Sequence, residues 1–230
     1  MDALDTAIRR VQKRVDIDGR RVTEAGRTNV LSSLTGADYL SLVALFFGWT
    51  SALLFLRGEP NVALIVMFVA FLFDKLDGYY ARRAGVSSPF GRQVDSFIDV
   101  FAYLVPAALL YHVTMAPHPV VGAVVGFVIL ALGGLRLVRH NAEGFGSEGD
   151  ESYYHGTTVV HTNVVCVANY FLFTLVGPWN GWAAGVTVLL VAPLMVSDYK
   201  AYKNDKSHLL AGAVALLASG LAVLLELGYV

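Results

Sequence analysis

The chain is short of charge: Asp, Glu, Lys and Arg make up 15% of its 230 residues, against 56% apolar. Soluble domains carry about 25% charged residues, so an ordinary water-facing globule is a poor description. Cysteine is nearly absent. Cys166 stands alone in an apolar run, which excludes a disulfide framework. His155 and His161 lie six apart with no cysteine nearby, so the spacing of a zinc site is missing as well. There is no internal repeat, and the one biased tract is a short Gly/Glu-rich loop from Glu143 to Glu151. No apolar core follows the basic N-terminal stretch, so a secretory leader is not expected there.

Long apolar stretches fill the sequence instead. A membrane span takes roughly 17–25 mostly apolar residues, and such runs recur at 38–57, 60–82, 93–114, 119–140, 158–176, 180–197 and 207–227. Turn-forming residues separate them, as at Gly58-Glu59-Pro60, Ala116-Pro117-His118-Pro119 and Gly177-Pro178-Trp179-Asn180-Gly181. In lipid the backbone must satisfy its own hydrogen bonds, and without strand-like alternation that means helices. The expected fold is all-α, a polytopic integral membrane helix bundle of about seven transmembrane helices, with six or eight as alternatives.

Basic residues alternate between the loops. Arg9, Arg10, Lys13, Arg14, Arg20, Arg21 and Arg27 precede the first span. Arg82, Arg83 and Arg92 follow the second, Arg136 and Arg139 end the fourth, and Lys200, Lys203 and Lys206 follow the sixth. The opposite loops hold only Arg57, so the N-terminus is expected on the cytoplasmic side of the cell membrane. Within residues 1–34, Leu4, Ile8, Val11 and Val15 recur at helical spacing among arginines and lysines. That pattern predicts a basic amphipathic helix on the cytoplasmic membrane surface, with residues 35–230 forming the transmembrane domain.

Residues 74–99 carry the chemistry. Asp74 closes the second apolar run and Asp77 follows one turn later on the same helix face, with Ala81 beyond it. Asp95 and Asp99 share a face at the start of the third run. The stretch between, Ala84 to Phe90, is short and contains Pro89, so the two helices should be antiparallel neighbours that bring four carboxylates together. An aspartate in a span costs about 2.5–3.5 kcal/mol at the helix centre, and clustered carboxylates repel one another. Divalent metal is the simplest compensation, since hard oxygen donors suit Mg²⁺, Mn²⁺ or Ca²⁺. Two such ions form a clamp for phosphoryl displacement. Gly78 and Ala81 leave room for a base or a phosphate, and Arg82 offers a phosphate partner. A cation route through a transporter is the competing reading, because intramembrane carboxylates also mark ion pathways.

The pattern Asp74-x2-Asp77-Gly78-x2-Ala81-Arg82-x8-Gly91-x3-Asp95-x3-Asp99 resembles the complete signature of the CDP-alcohol phosphotransferases. The resemblance extends over the helical layout from about residue 37 onward and implies a homodimer with a polar cavity in each protomer, open to the cytoplasm and to lipid. It implies that Asp74, Asp77 and Asp95, helped by Asp99, hold two divalent ions, Mg²⁺ or Mn²⁺. Asp99 would be the general base and Asp95 a further catalytic carboxylate. Asp74, Gly78, Ala81, Arg82 and Gly91 would bind the CDP-lipid.

The acceptor is read from Arg136, Arg139 and Asn141. The segment Gly133-Gly134-Leu135-Arg136-Leu137-Val138-Arg139-His140-Asn141 resembles the Arg-Leu-x-Arg-Phe-Asn stretch of the phosphatidylserine and archaetidylserine synthase branch. Asp38-Tyr39 and Met195 to Lys200 resemble that branch too. The implied reaction transfers a phosphatidyl or archaetidyl group from a CDP-lipid (CDP-diacylglycerol or CDP-archaeol) to L-serine, releasing CMP. Tyr154-His155-Gly156-Thr157-Thr158 stands where the branch has a Gly-Leu-Pro segment, and His140 where it has Phe. Glycerol phosphate or inositol phosphate is therefore the alternative acceptor, and positive-inside anchoring the structural reading of the two arginines. Gly122 and Gly126 form a Gly-x3-Gly pair for a close helix contact, within a protomer or between two. Trp179 and Trp182 read as interfacial anchors.

Overall fold

Each apolar run becomes a helix in the computed structural model, which describes residues 30–85, 89–148, 151–202 and 205–229. The predicted amphipathic helix, with Leu4, Ile8, Val11 and Val15, lies outside the described residues. The chain divides into two units, Met1–Thr35 and Gly36–Val230. In the first, Val30–Ser33 forms a single 3₁₀ turn.

The second unit is the helical bundle. Its helices are α1 (Gly36–Leu56), α2 (Pro60–Ala84), α3, α4 (Pro119–Glu143), α5 (Val159–Leu175), α6 (Gly181–Val191, continued by the 3₁₀ turn Ala192–Val196) and α7 (Asp205–Glu226). α3 runs through Pro89–Asp99, a π turn at Val100–Leu104, Val105–Leu110 and a second π turn at Tyr111–Met115. By length and composition, Gly36–Leu56, Phe90–Met115 and Pro119–Glu143 can each cross a membrane, while Val159–Leu175, Gly181–Val196 and Gly212–Glu226 are shorter apolar helices. α2 has 25 residues, but Asp74, Lys75, Asp77, Arg82 and Arg83 make its last third polar.

A bundle in lipid gains little from hiding apolar area, so its helices associate through close packing and hydrogen bonds. The interior accordingly uses small residues: Ala44, Ala52, Ala63, Ala70, Ala102, Ala107, Ala184 and Ala192 are all buried. Large apolar side chains point outward, with Leu216 77%, Leu190 72% and Phe127 69% exposed, which is the arrangement lipid requires. A Cβ on Gly48 of α1 would stand 2.6 Å from the Phe101 carbonyl oxygen, so α1 meets the first π turn backbone to backbone. Gly122 and Gly126 face His112 and Ala108 of α3, which places the Gly-x3-Gly contact inside the chain. Buried polar groups bind across helices, as Ser51 Oγ donates to Ala63 O at 2.8 Å and Tyr170 Oη to Asn61 Oδ1 at 2.6 Å. Trp182 is exposed, whereas the Trp179 indole donates to Asn169 Oδ1 at 3.1 Å.

A small antiparallel sheet, unforeseen in the sequence, follows α4. β1 (Gly146–Glu148) pairs with β2 (Glu151–His155), and β2 with β3 (Lys200–Tyr202), in the order β1-β2-β3. The register sets Tyr153 opposite Tyr202 and Tyr154 opposite Ala201. Gly156 closes β2 at φ 73°, and a Cβ there would lie 2.7 Å from Leu194 O, so the position demands glycine twice over.

Candidate active site

α2 and α3 build the acidic wall. α2 stops at Gly85, whose φ of 64° and N–H bond to Ala81 O form a left-handed helix cap that lets the chain reverse. One carboxylate oxygen from each of Asp74, Asp77 and Asp95 lies within 4.8 Å of the others. Asp74 and Asp77 are buried, and Asp95 faces solvent, so the cluster has a closed floor and an open side. Asp99 sits one turn farther along α3, half-buried, in the field of Asp74, Asp95, Lys75 and Arg136.

Side chains outside the signature hold these carboxylates. Asp74 Oδ2 accepts from Tyr103 Oη and from Lys75 Nζ, each at 2.7 Å. Asp77 Oδ2 accepts from Ser41 Oγ of α1. Tyr103 lies in the π turn that follows Asp99, and such turns free backbone groups: its carbonyl accepts from Asn163 Nδ2 of α5 at 3.0 Å. Tyr103 was readable one turn beyond Asp99, and Lys75 lies between two signature positions. Ser41 gave no signal, because its partner is 36 residues away. Buried Asp38, one turn before Ser41, adds a further carboxylate that acts on Asp95.

Oxygen donors this close, two of them buried with lone pairs to spare, fit a hard divalent cation. Lys75 supplies part of the neutralising charge, yet among the described residues its ammonium pairs only with Asp74. The stripe beside the cluster is open: at Gly78 an added Cβ would meet only Arg82 Nη1, at 3.3 Å, so the guanidinium lies along the helix over the glycine. Ala81 and Gly91 are half-buried.

α4 builds the opposite wall, and there the two arginines part company. Arg139 donates to His155 O at 2.6 Å, to Ser197 O at 3.1 Å, and to Met195 O and Val196 O at 3.2 Å. Its guanidinium thus fastens the end of β2 to the segment after α6. Arg136 is buried, and its Nε is one of three buried side-chain polar atoms without a partner among the described residues, with Thr157 Oγ1 and Thr162 Oγ1. The Tyr154 ring covers Arg136, with its centroid 5.5 Å from the guanidinium carbon. Asn141 Oδ1 accepts from Ser96 Oγ at 3.2 Å and braces α4 against α3 beside Asp95. His140 packs edge-on against Phe145 and tilted against Tyr154, and His161 Nδ1 accepts the Thr158 N–H at 3.3 Å to cap α5. Burial pushes the Tyr154 hydroxyl above its usual range, against the pull of Arg136, Lys75 and Arg82, so at neutral pH the ring is an uncharged phenol.

Residues 34–197 match the CDP-alcohol phosphatidyltransferase family. The archaetidylserine synthase of Methanothermobacter thermautotrophicus is 30% identical over 178 residues, covering 76% of this chain and 73% of that protein. A CDP-diacylglycerol–serine O-phosphatidyltransferase of Mycobacterium bovis is 31% identical over 192 residues, 78% of this chain and 65% of its own length. Another so named, from Methanocaldococcus jannaschii, is 33% identical over 116 residues, so this chain spans about half of it, 53%. The chain belongs to the CDP-alcohol phosphatidyltransferase family and is a membrane enzyme, a transferase of phospholipid biosynthesis.

Proposed function

We propose that the protein transfers a phosphatidyl-type group, diacyl or archaetidyl, from a CDP-activated lipid to the hydroxyl of L-serine and releases CMP. The observation that carries the transfer chemistry is the convergence of Asp74, Asp77 and Asp95 within 4.8 Å. In this reading those three carboxylates, with Asp99 alongside, hold divalent metal, Mg²⁺ or Mn²⁺. The bound metal supplies charge neutralisation for the diphosphate and for departing CMP. Arg82 meets the phosphates from above the open Gly78–Ala81–Gly91 stripe. Asp99 takes the proton of the serine hydroxyl as its oxygen forms a bond to the lipid-side phosphorus and the bond from that phosphorus to CMP breaks. Tyr103, Lys75 and Ser41 keep Asp74 and Asp77 fixed, so little reorganisation is left for the reacting complex.

Serine is favoured over a phosphorylated acceptor by the separate uses of the arginines. Arg139 is tied to four carbonyls, whereas the Nε of buried Arg136 has no hydrogen-bond partner among the described residues, so on the α4 wall the Nε edge of Arg136 is read as meeting the acceptor. One such edge suits a planar carboxylate, whereas a phosphate dianion usually draws a second cation. The names of the relatives agree. The enzyme is read as a homodimer, as the family resemblance implies, with about seven crossings of the cell membrane, and the distribution of Lys and Arg supports a cytoplasmic N-terminus and a cytoplasmic site.

The test is CMP release by the purified full-length protein with CDP-diacylglycerol or CDP-archaeol and Mg²⁺ or Mn²⁺. L-Serine, glycerol 3-phosphate and inositol phosphate are offered separately, with Asp99→Asn as control. Metal-dependent release with serine alone is expected. Release only with a phosphorylated acceptor would keep the chemistry and overturn serine, while cation flux across vesicles without CMP would overturn the transfer itself.

A further inference from the structure

Strand β2 has two unlike faces. Side chains alternate along a strand, and Tyr153 and His155 lie on one side, where their rings pack together and Tyr153 also meets Tyr202 and Lys200. Tyr154, between them, projects to the other side. There its ring contacts Phe145 with centroids 4.9 Å apart and His140 at 5.6 Å, and lies 5.5 Å from the Arg136 guanidinium carbon. Besides Arg136, the charges acting on its hydroxyl are Lys75, Arg82 and Asp95, which come from the acidic wall. Tyr154 therefore packs on the α4 side of the site, within the electrostatic field of the acidic wall. The strand that delivers it is pinned immediately afterwards, where Arg139 takes the His155 carbonyl and Gly156 N–H donates to Tyr199 O at 2.7 Å.

We infer that Tyr154 is a specificity-determining residue of the acceptor pocket: the Arg136 guanidinium lies over its ring, which holds the unpartnered Nε edge in place for a small carboxylate-bearing alcohol. The unpartnered Nε of buried Arg136 is half of such an edge, because Nε and its neighbouring Nη form one of the two forks that grip a carboxylate. A ring over the guanidinium face keeps water from it and strengthens the bonds made in its plane. It also removes the space that a bulkier, tetrahedral acceptor group would need. This assignment rests on the reading of Arg136 as the acceptor-binding residue.

Tyr154→Phe, Tyr154→Leu and Tyr154→Ala are assayed in the full-length protein in nanodiscs by CMP release. Acceptor and CDP-lipid are varied independently, with L-serine and glycerol 3-phosphate as acceptors. Phe keeps the aromatic face and is expected within about threefold of wild type in acceptor KM. Leu and Ala are expected to raise the serine KM about tenfold, to leave the CDP-lipid KM unchanged, and to narrow the preference for serine over glycerol 3-phosphate by about tenfold. Unchanged serine KM and preference in both Leu and Ala would overturn the inference. Equal loss of CDP-lipid affinity in the same variants would also overturn it, since the ring would then support the fold alone. Should wild type use glycerol 3-phosphate and refuse serine, the serine reading falls. A tetrahedral acceptor would then fit where the ring is said to exclude it, so that outcome overturns this inference as well, whereas unchanged serine KM in Leu and Ala with a serine-using wild type overturns the inference alone.

Discussion

Asp74 and Asp77 reach the site from successive turns of one helix, whereas Arg136 and Tyr154 reach it from a helix and a strand joined by a loop. On the acidic side, the spacing of the residues along the chain already dictates their convergence. On the acceptor side, convergence depends on a sheet whose third strand comes from the far side of α5 and α6. Chemistry common to a family can be written into local helix geometry. In the proposed reading, discrimination among acceptors is left to long-range packing, so one substitution on that side should change the acceptor without disturbing the carboxylates.

The sharpest way to break this contrast is to remove one carboxylate. Asp77→Asn and Asp95→Asn are expected to lower CMP release by about 10³-fold and to abolish its response to Mg²⁺ or Mn²⁺ titration, while acceptor preference in any residual activity stays the same. Near-normal activity with an unchanged metal response would remove the carboxylates from the chemistry. Arg136→Met should do the converse. Losing even one charged hydrogen bond is worth about 1.5–3 kcal/mol, so the serine KM should rise at least about 10- to 150-fold with the CDP-lipid KM unmoved. Steady-state kinetics with each substrate varied in turn separates the two outcomes.

The contrast also explains what was legible in the sequence. Apolar runs marked every described helix of the bundle, because a lipid-facing stretch of helix must be apolar; the run expected at 119–140 appears as Pro119–Glu143. The Asp74-to-Asp99 spacing marked the cluster, because i, i+3 and i, i+4 positions share a helix face wherever the helix packs. The π turns in α3 escaped notice, since a π turn has no composition of its own. So did the sheet: β1 and β3 have three residues each, too short for a period, and β3 is separated from its partner β2 by two helices. Arg136 and Arg139 looked equivalent because helical spacing puts both near one face. Burial against Tyr154 and capture by the carbonyls of Met195, Val196 and Ser197 are tertiary facts, and they alone separate the two roles.

Arg139→Ala tests that separation at an intermediate scale. Four carbonyls lose their donor, so a thermal unfolding assay should register a loss of about 2 kcal/mol. The serine KM should rise severalfold as Tyr154 loses its anchorage, less than for Arg136→Met. An effect on KM equal to that of Arg136→Met, with stability intact, would mean that Arg139 binds the acceptor itself.

The smallest effect is expected on the outer side of the sheet. Lys200 Nζ and Tyr202 Oη both bind Glu148 Oε2, at 2.7 and 2.8 Å, and these bonds hold the Glu148 carboxyl below its usual value and the Lys200 ammonium above its own. The depressed carboxyl contributes above its unfolded pKa and loses that contribution as pH falls through the lower folded value. The raised ammonium contributes below its unfolded pKa and loses it as pH rises through the higher folded value. The pair is therefore fully formed between the ordinary carboxylate and lysine ranges, about 4.3 to 10.4, and the whole neutral region lies inside that window. Because the pair is exposed and screened, Glu148→Gln should leave the serine KM at neutral pH within about twofold of wild type. It should also leave the pH profile of CMP release unchanged. A tenfold change would mean that β1 strains or relaxes Tyr154 through the sheet, and the two faces of β2 could no longer be treated as independent.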